Sequence, residues 1–180
     1  SCAKCYAGVM NDHTHTPYKA LDLCGGLLDF GPGGFKPGMH VNYESCIFNL
    51  LDGSPKYADT PTDHGGSGEL VPDASKEQAP RDGPLTGQCY CGAVKIEAEG
   101  EPILTCMCHC GACRSWTGST GQPVVLYPTD QVKITGELVA AGAPFRGPSS
   151  MAPGFSKRMS CAKCYAGVMN DHTHTPYKAL

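Results

Sequence analysis

Three short stretches, GQCYCGAV at residues 87–94, CHCGAC at residues 108–113 and CAKC at residues 161–164, place seven cysteines at the spacing of metal ligands. One tetrahedral ion takes four ligands, so seven thiols are more than one ion needs. We expect a four-thiolate site from the first and last stretches, and a three-thiolate site from the middle stretch with its fourth position open. A closed site stabilises a fold, whereas an open site binds a substrate and supports chemistry.

The middle stretch is where we expect chemistry. In an extended chain the side chains of Cys108 and Cys110 point to the same side, and a turn through Gly111 and Ala112 returns Cys113 to them. One ion collects all three thiolates. Zn²⁺ with three thiolates is a poor Lewis acid for water, but it holds a substrate thiol deprotonated and electron-rich. The pattern therefore favours a thiol substrate.

A second interpretation closes this site. Cys106 precedes Cys108 by two residues, so both lie on one face of an extended strand, and Cys106 is a candidate fourth ligand. That arrangement would make the site purely structural. Cys106 is also explained as a small buried apolar side chain, which is the more common role of a cysteine.

The outer stretches supply two cysteine pairs, Cys89-x-Cys91 and Cys161-x-x-Cys164. Their spacing is typical of the two halves of a structural zinc site, whose expected role is to join two distant strands. The alternative is a redox-active C-x-x-C pair, but no βαβ pattern surrounds it.

An exact repeat links the two ends of the chain. Residues 160–180 repeat residues 1–21 letter for letter, and GGSG at residues 65–68 reads as a flexible joint. Old duplications diverge, so this identity indicates a recent event or engineering. We interpret the chain as a circularly permuted domain whose overlap lies at its ends; the alternative is a natural duplication with truncation.

This interpretation predicts the domain boundaries. Residues 1–64 are the C-terminal part of the parental domain, residues 65–84 are a linker, and residues 85–180 are its N-terminal part. The non-redundant sequence is of ordinary single-domain size, so we expect one structural domain with one core.

The repeat also duplicates one ligand pair, because Cys2 and Cys5 are the copies of Cys161 and Cys164. Either pair would complete the site, and the two loop closures differ by only about 0.2 kcal/mol in entropy. We therefore expect one copy to occupy the site while the other stays free, or chains to exchange copies as a domain-swapped homodimer.

Short alternating segments bounded by turn residues predict a mainly β fold. We expect strands at residues 93–98, 124–127 and 131–135, and a short helix at residues 111–116. Two segments rich in Gly and Pro are expected to be loops, at residues 30–38 and 143–153.

Composition excludes several classes of function. The net charge is −3 and no long basic run occurs, so we expect no nucleic-acid partner. No apolar stretch is long enough to cross a bilayer, so we expect no membrane partner either. Thiolate ligands survive best in a reducing compartment, which predicts a cytoplasmic protein.

Several motifs together resemble one family. They are GQCYCGAV at 87–94, the C-x-C-x-x-C-R run at 108–114 followed by Thr-Gly-Ser, the C-x-x-C pair at 161–164, and DGSP at 52–55 in permuted order. The chain is similar to the glutathione-dependent formaldehyde-activating enzyme family, which includes centromere protein V. Two positions depart from its pattern: Tyr165 stands where glycine is usual, and an expected tryptophan is replaced near Ile47 and Phe48.

The resemblance implies a β-tent fold of short antiparallel strands with two Zn²⁺ ions per domain, one structural and one catalytic. By motif match, the structural ion belongs to Cys89, Cys91, Cys161 and Cys164, and the catalytic ion to Cys108, Cys110 and Cys113. The implied reaction joins glutathione and formaldehyde into S-(hydroxymethyl)glutathione, which makes the chain a carbon-sulfur lyase of the synthase type.

Two neighbouring side chains have expected roles beside the metal. Arg114 follows a ligand directly, so it is a candidate to offset negative charge or to bind a glutathione carboxylate, or else to form an ordinary ion pair. His109 lies between two ligands and by alternation points away from the metal. Three classes of function remain: an enzyme acting on glutathione adducts, a glutathione carrier, and a structural module whose site Cys106 closes.

Overall fold

A computed structural model describes residues 1–15, 17, 20–72, 83–142, 157–171 and 177–180. These residues form two compact units. The first unit contains Ser1–Asp29 and Gly83–Leu180, and the second contains Phe30–Asp82. The predicted loop at residues 143–153 lies outside the described residues. No helix among the described residues is both long enough and apolar enough to span a bilayer.

The described residues of the first unit form eleven short strands and one α-helix. In chain order they are β1 (Met10–His13), β2 (Ala20–Leu23), β3 (Leu85–Gln88), β4 (Lys95–Ala98), β5 (Leu104–Cys108), α1 (Gly111–Thr117), β6 (Gln122–Pro128), β7 (Val132–Thr135), β8 (Leu138–Ala140), β9 (Lys157–Cys161), β10 (Gly167–Asp171) and β11 (Tyr177–Ala179).

Every strand pair that the structure describes in this unit is antiparallel. Six strands form one sheet in the order β5-β6-β11-β10-β9-β8, three form a second sheet in the order β3-β4-β7, and β1 pairs with β2 alone. The predicted strands appear as β4, β6 and β7, and the predicted short helix appears as α1. The expected mainly β fold of short antiparallel strands is therefore confirmed.

The core of the first unit is built partly from cysteines. Cys89, Val94, Cys161, Val168 and Met169 are all buried and pack together. These residues come from the turn after β3 and from β9 and β10, so the core joins segments distant in sequence. The outer cysteine pairs were expected to join two distant strands, and one cysteine of each pair, Cys89 and Cys161, meets the other in this core.

Helix α1 ends at Gly118, whose backbone is left-handed with φ 72°. A side chain there would also collide, because a Cβ atom at Gly118 would lie 2.7 Å from Cβ of Cys24. Backbone conformation and close packing both require glycine, and together they fix the end of the helix that carries Cys113.

We expect Gly118→Ala to lower the free energy of unfolding by about 3 kcal/mol, since the left-handed conformation and the crowding each cost about 1–2 kcal/mol. Urea unfolding measures the change. Gly100→Ala is the matched control, because Gly100 has φ 73° but only the amide end of Gln131 nearby. Gly100→Ala should cost about 1 kcal/mol, and equal losses in both variants would contradict the packing argument.

Among its described residues, 30–72, the second unit contains short helical turns and isolated bridges but no strand. His40 and Lys56 form an isolated bridge, and the hydroxyl of Tyr43 accepts a hydrogen bond from the backbone N–H of Leu50 at 2.6 Å. Asp52 lies 2.8 Å from Nε2 of His40 and 3.4 Å from Nζ of Lys56, whose side chain is buried. The predicted loop at residues 30–38 contains one short helical turn at Gly31–Gly33 and no strand.

The pKa of the Asp52 carboxyl predicts how acid changes the stability of the second unit. The hydrogen bond to His40, with one from the backbone N–H of Ser54, lowers the pKa of Asp52 to about 2. Because the folded pKa lies below the unfolded value of about 3.9, the stabilisation is complete above that value and is lost as the pH falls towards 2. We expect Asp52→Asn to remove this pH dependence, as followed by NMR of the Tyr43 ring between pH 5 and pH 2; an unchanged acid profile would contradict it.

Candidate metal centres

Four sulfur atoms converge at the edge of the core. The Sγ atoms of Cys89, Cys91, Cys161 and Cys164 all lie within 4.8 Å of one another, and all four cysteines are free. Cys91 Sγ lies 3.6 Å from Cys89 Sγ and 3.9 Å from Cys161 Sγ. We call these four residues the four-thiol group; it is the set predicted from the spacing of the outer stretches.

Backbone N–H groups point at these sulfur atoms. The N–H of Val94 donates to Cys89 Sγ at 3.2 Å, and the N–H of Lys163 donates to Cys161 Sγ at 3.4 Å. Such bonds stabilise the thiolate form. Burial raises the pKa of the Cys89 thiol, but the Val94 N–H and the neighbouring sulfurs outweigh it and lower that pKa to about 6.

The Cys91 thiol behaves in the opposite way. The backbone N–H of Ala93 lowers its pKa, but the sulfur of Cys164, burial and the other two sulfurs of the group raise it to about 11. At neutral pH the group therefore combines a thiolate with a protonated thiol. A thiophilic cation must displace the remaining protons, so its affinity rises with pH.

The N-terminal copy lies outside this group. Cys2 and Cys5 are half-buried, and neither belongs to any group of three or more potential ligands among the described residues. The N-terminal copy nevertheless contacts the C-terminal copy, because the Tyr6 and Tyr165 rings stack with centroids 4.5 Å apart. Of the two predicted ligand pairs, the structure brings Cys161 and Cys164 to Cys89 and Cys91.

Three further sulfur atoms converge at the start of α1. Cys108 ends β5, Cys110 caps the helix, and Cys113 lies in its first turn, with all three Sγ atoms within 4.8 Å of one another. The backbone N–H of Cys113 donates to Cys110 Sγ at 3.4 Å. These residues, the three-thiol group, are the predicted middle cluster.

Arg158 and Trp116 complete the surroundings of Cys113. The Arg158 guanidinium lies over the Trp116 ring, 4.9 Å from its centroid, and its Nη2 donates to Cys113 Sγ at 3.5 Å. Burial raises the pKa of the Cys113 thiol to about 12, although Arg158 lowers it. The other terminal nitrogen of Arg158, Nη1, is buried and has no hydrogen-bond partner in the part of the chain that the structure describes.

Sequence reasoning missed Arg158, because it lies on β9 and is 45 residues from Cys113. No spacing rule connects the two residues. Trp116 carried a usable signal, since it follows Cys113 by three residues on a helix, a spacing that places both side chains on one face.

The other candidates around this group are placed as follows. Cys106 is exposed and lies outside the three-thiol group. His109 is exposed, and its Nδ1 lies 3.3 Å from the carbonyl oxygen of Thr120. Nε of Arg114 is buried and makes no hydrogen bond within the described structure. A role for Arg114 at the site stays a prediction.

A cavity of about 520 Å³ opens beside Trp116. Its wall includes Tyr6 from the N-terminal copy, Tyr165 from the C-terminal copy, and Gln122 at the start of β6. Gln122 is buried, its Oε1 has no hydrogen-bond partner among the described residues, and it pairs with Cys108 of β5. The cavity therefore lies next to α1, and Cys164 of the four-thiol group also lines it.

Both thiol groups fit zinc. A tetrahedral ion with Zn–S bonds of about 2.3 Å separates its sulfurs by about 3.8 Å, and the closest pairs of the four-thiol group match this separation. A disulfide would hold two sulfurs about 2.05 Å apart. All-sulfur donor sets select zinc and other soft metals over magnesium or calcium.

The chain matches one family model over residues 84–180, just over half of its length. That family is described as glutathione-dependent formaldehyde-activating enzyme, so the chain belongs to the glutathione-dependent formaldehyde-activating enzyme family. The matched region contains both thiol groups and Arg158. No curated protein matches the chain.

Proposed function

We propose that this chain is a zinc-dependent enzyme that acts on glutathione adducts and forms S-(hydroxymethyl)glutathione from glutathione and formaldehyde. The observation that supports this proposal is the three-thiol group. The described residues bring three sulfur atoms together there and not four, since Cys106 lies apart. A three-ligand site leaves one coordination position for the sulfur of a substrate. Membership of the family supports glutathione as that substrate.

In this reaction a carbon-sulfur bond forms between glutathione and the carbonyl carbon of formaldehyde, and the thiol proton ends on the aldehyde oxygen. A zinc ion held by Cys108, Cys110 and Cys113 would supply Lewis acidity that favours the substrate thiolate. Arg158 donates to Cys113 Sγ and offsets the negative charge that accumulates on the sulfurs. In this proposal the four-thiol group holds a second, structural zinc.

The cavity beside Trp116 is large enough for a peptide substrate, and it reaches α1 through Trp116 and Thr117 while Cys164 of the four-thiol group, and none of the three-thiol group, lines its wall. Its volume of about 520 Å³ lies within the usual range for small-molecule sites, roughly 300–1,000 Å³. The aromatic rings of Tyr6, Trp116 and Tyr165 on its wall offer apolar contact surface to the tripeptide. The free thiols agree with a reducing compartment, so we propose a cytoplasmic location.

The deciding experiment measures turnover on zinc-loaded protein. NMR exchange spectroscopy of glutathione and formaldehyde should show conversion faster than the spontaneous reaction. Cys106→Ser is the matched control, because this exposed cysteine lies outside the three-thiol group and its loss should leave turnover unchanged. Glutathione binding without acceleration would instead indicate a carrier, and absence of both would indicate a structural module.

Arg158 yields a separate prediction. We expect Arg158→Gln to reduce kcat/KM for glutathione by about tenfold to a hundredfold, the usual cost of removing a group that supports a metal ligand. Arg158→Lys should restore part of the activity, because the positive charge remains. Arg114→Gln is the comparison variant, and a larger loss there than in Arg158→Gln would transfer the supporting role to Arg114.

A further inference from the structure

The two copies of the repeat fold into the same turn. In the N-terminal copy the N–H of Cys2 donates to the carbonyl of Ala7 and the N–H of Tyr6 donates to that of Cys2, both at 2.9 Å. In the C-terminal copy the equivalent bonds start from Cys161 and Tyr165 and measure 3.0 and 2.9 Å.

The backbone confirms that the turn is encoded locally. Tyr6 and Tyr165 both have φ 60°, a left-handed conformation that is uncommon for a residue with a side chain. Identical sequences reach this conformation in different surroundings. The turn that presents the cysteine pair is therefore formed in the N-terminal copy as well, without the partner cysteines Cys89 and Cys91.

Burial separates the two copies. Val168 and Met169 are 8% and 5% exposed, and they pack in the core with Cys89 and Val94. Their twins Val9 and Met10 are 37% and 46% exposed. The N-terminal copy thus shows to solvent the same apolar side chains that its twin buries.

We infer that residues 1–12 can take the place of residues 160–171 at the four-thiol group. We call each of these two segments an insert. In this second arrangement Cys2 and Cys5 bind the metal ion opposite Cys89 and Cys91, and Val9 and Met10 occupy the core in place of their twins. A surface that accepts residues 160–171 cannot distinguish side chains that are identical. This inference rests on metal binding by the four-thiol group and not on the proposed reaction.

The replacement occurs within one chain. The Tyr6–Tyr165 stack holds the two turns side by side in the same compact unit, so the second insert is already close to the site that it enters. One chain has one acceptor pair and two inserts, and exchange between two chains would leave the same number of inserts free. Dimerisation therefore gains no buried surface from the exchange.

The decisive variant is Cys161→Ser with Cys164→Ser, prepared with Zn²⁺. We expect it to fold and to keep as many zinc ions per chain as the wild type, because Cys2 and Cys5 take over. Adding Cys2→Ser and Cys5→Ser should then remove one ion per chain. If the first variant already loses one ion, or fails to fold, the inference is wrong.

Alkylation by iodoacetamide shows which pair binds the metal. The tryptic peptides SCAK for Cys2 and MSCAK for Cys161 differ in mass, so the two thiols are followed separately. In the wild type with Zn²⁺, Cys2 should react at least about tenfold faster than Cys161, because Cys161 is fully buried and a thiolate that ligates a metal is not free to attack. In Cys161→Ser with Cys164→Ser, Cys2 should become the protected thiol; continued fast labelling would overturn the inference.

Met10 supplies a matched control for the retention of zinc by Cys2 and Cys5 in this variant, which we call the rescue. Met10→Asp alone should leave zinc content and melting unchanged, because the side chain is already exposed. Combined with Cys161→Ser and Cys164→Ser it should abolish the rescue, since an aspartate cannot enter the core. Rescue that survives Met10→Asp, or that appears only in a concentration-dependent dimer on size exclusion, would refute replacement within the chain.

If the four-thiol group of the wild-type protein binds no zinc ion, so that Cys89→Ser with Cys91→Ser leaves the zinc content unchanged, the inference fails. If two ions bind and the rescue occurs but no product forms, only the proposed reaction is lost. The zinc count and the turnover assay therefore separate the two failures.

Discussion

Replacing Cys89 and Cys91 together by serine is expected to unfold the first unit at 25 °C. Both residues belong to the four-thiol group, Cys89 is buried in the core, and the repeat holds no copy of them. A structural zinc contributes roughly 10–16 kcal/mol of apparent binding free energy in small domains. That figure is as large as the whole stability of a typical domain, about 5–15 kcal/mol.

Near-UV circular dichroism and zinc content measure this outcome. The double variant should lose the tertiary signal and at least one zinc ion per chain. Cys2→Ser with Cys5→Ser is the control, because it removes a pair outside the group and should leave both signals at their wild-type values. A cooperative melt within a few degrees of wild type would show that the four-thiol group does not hold the fold together.

The second large effect is expected from Cys113→Ser. Loss of one of three thiolate ligands should lower turnover by at least about a thousandfold, beyond the tenfold to hundredfold typical of residues that only support a ligand. The fold should persist, since the four-thiol group is intact. Zinc analysis should give one ion per chain instead of two, with Cys106→Ser again retaining both.

The pKa of Cys113 also predicts how metal binding by the three-thiol group depends on pH. Burial keeps the pKa of the Cys113 thiol at about 12, so the thiol is protonated at neutral pH and zinc must displace that proton. Zinc affinity should therefore rise about tenfold per pH unit for each displaced proton between pH 6 and pH 8. A pH-independent affinity would contradict this protonation state.

Local spacing predicted most of the candidate site. A C-x-C or C-x-x-C run determines by itself where its two sulfurs point, which is why the three-thiol group could be assigned from the sequence. The sequence also predicted that the two outer cysteine pairs come together in one group, because seven thiols are more than one tetrahedral ion needs. The metal itself, its count and the circular permutation stay predictions.

The sequence could not select between the two copies, since they are identical and loop entropy separates them by only about 0.2 kcal/mol. The structure places Cys161 and Cys164 in the group, and burial of Val168 and Met169 accompanies that choice. The contact of Arg158 with Cys113 was also beyond prediction, because it depends on how β9 packs against α1 and on no local pattern.

The same residue meets different packing in the two copies. A Cβ atom at Gly167 would lie 2.9 Å from the Trp116 ring, whereas one at its twin Gly8 would meet only ordinary contacts at 3.6 Å or more. We therefore expect a side chain at position 8 to be tolerated while residues 160–171 occupy the core, although in the inferred second arrangement it would prevent residues 1–12 from replacing them.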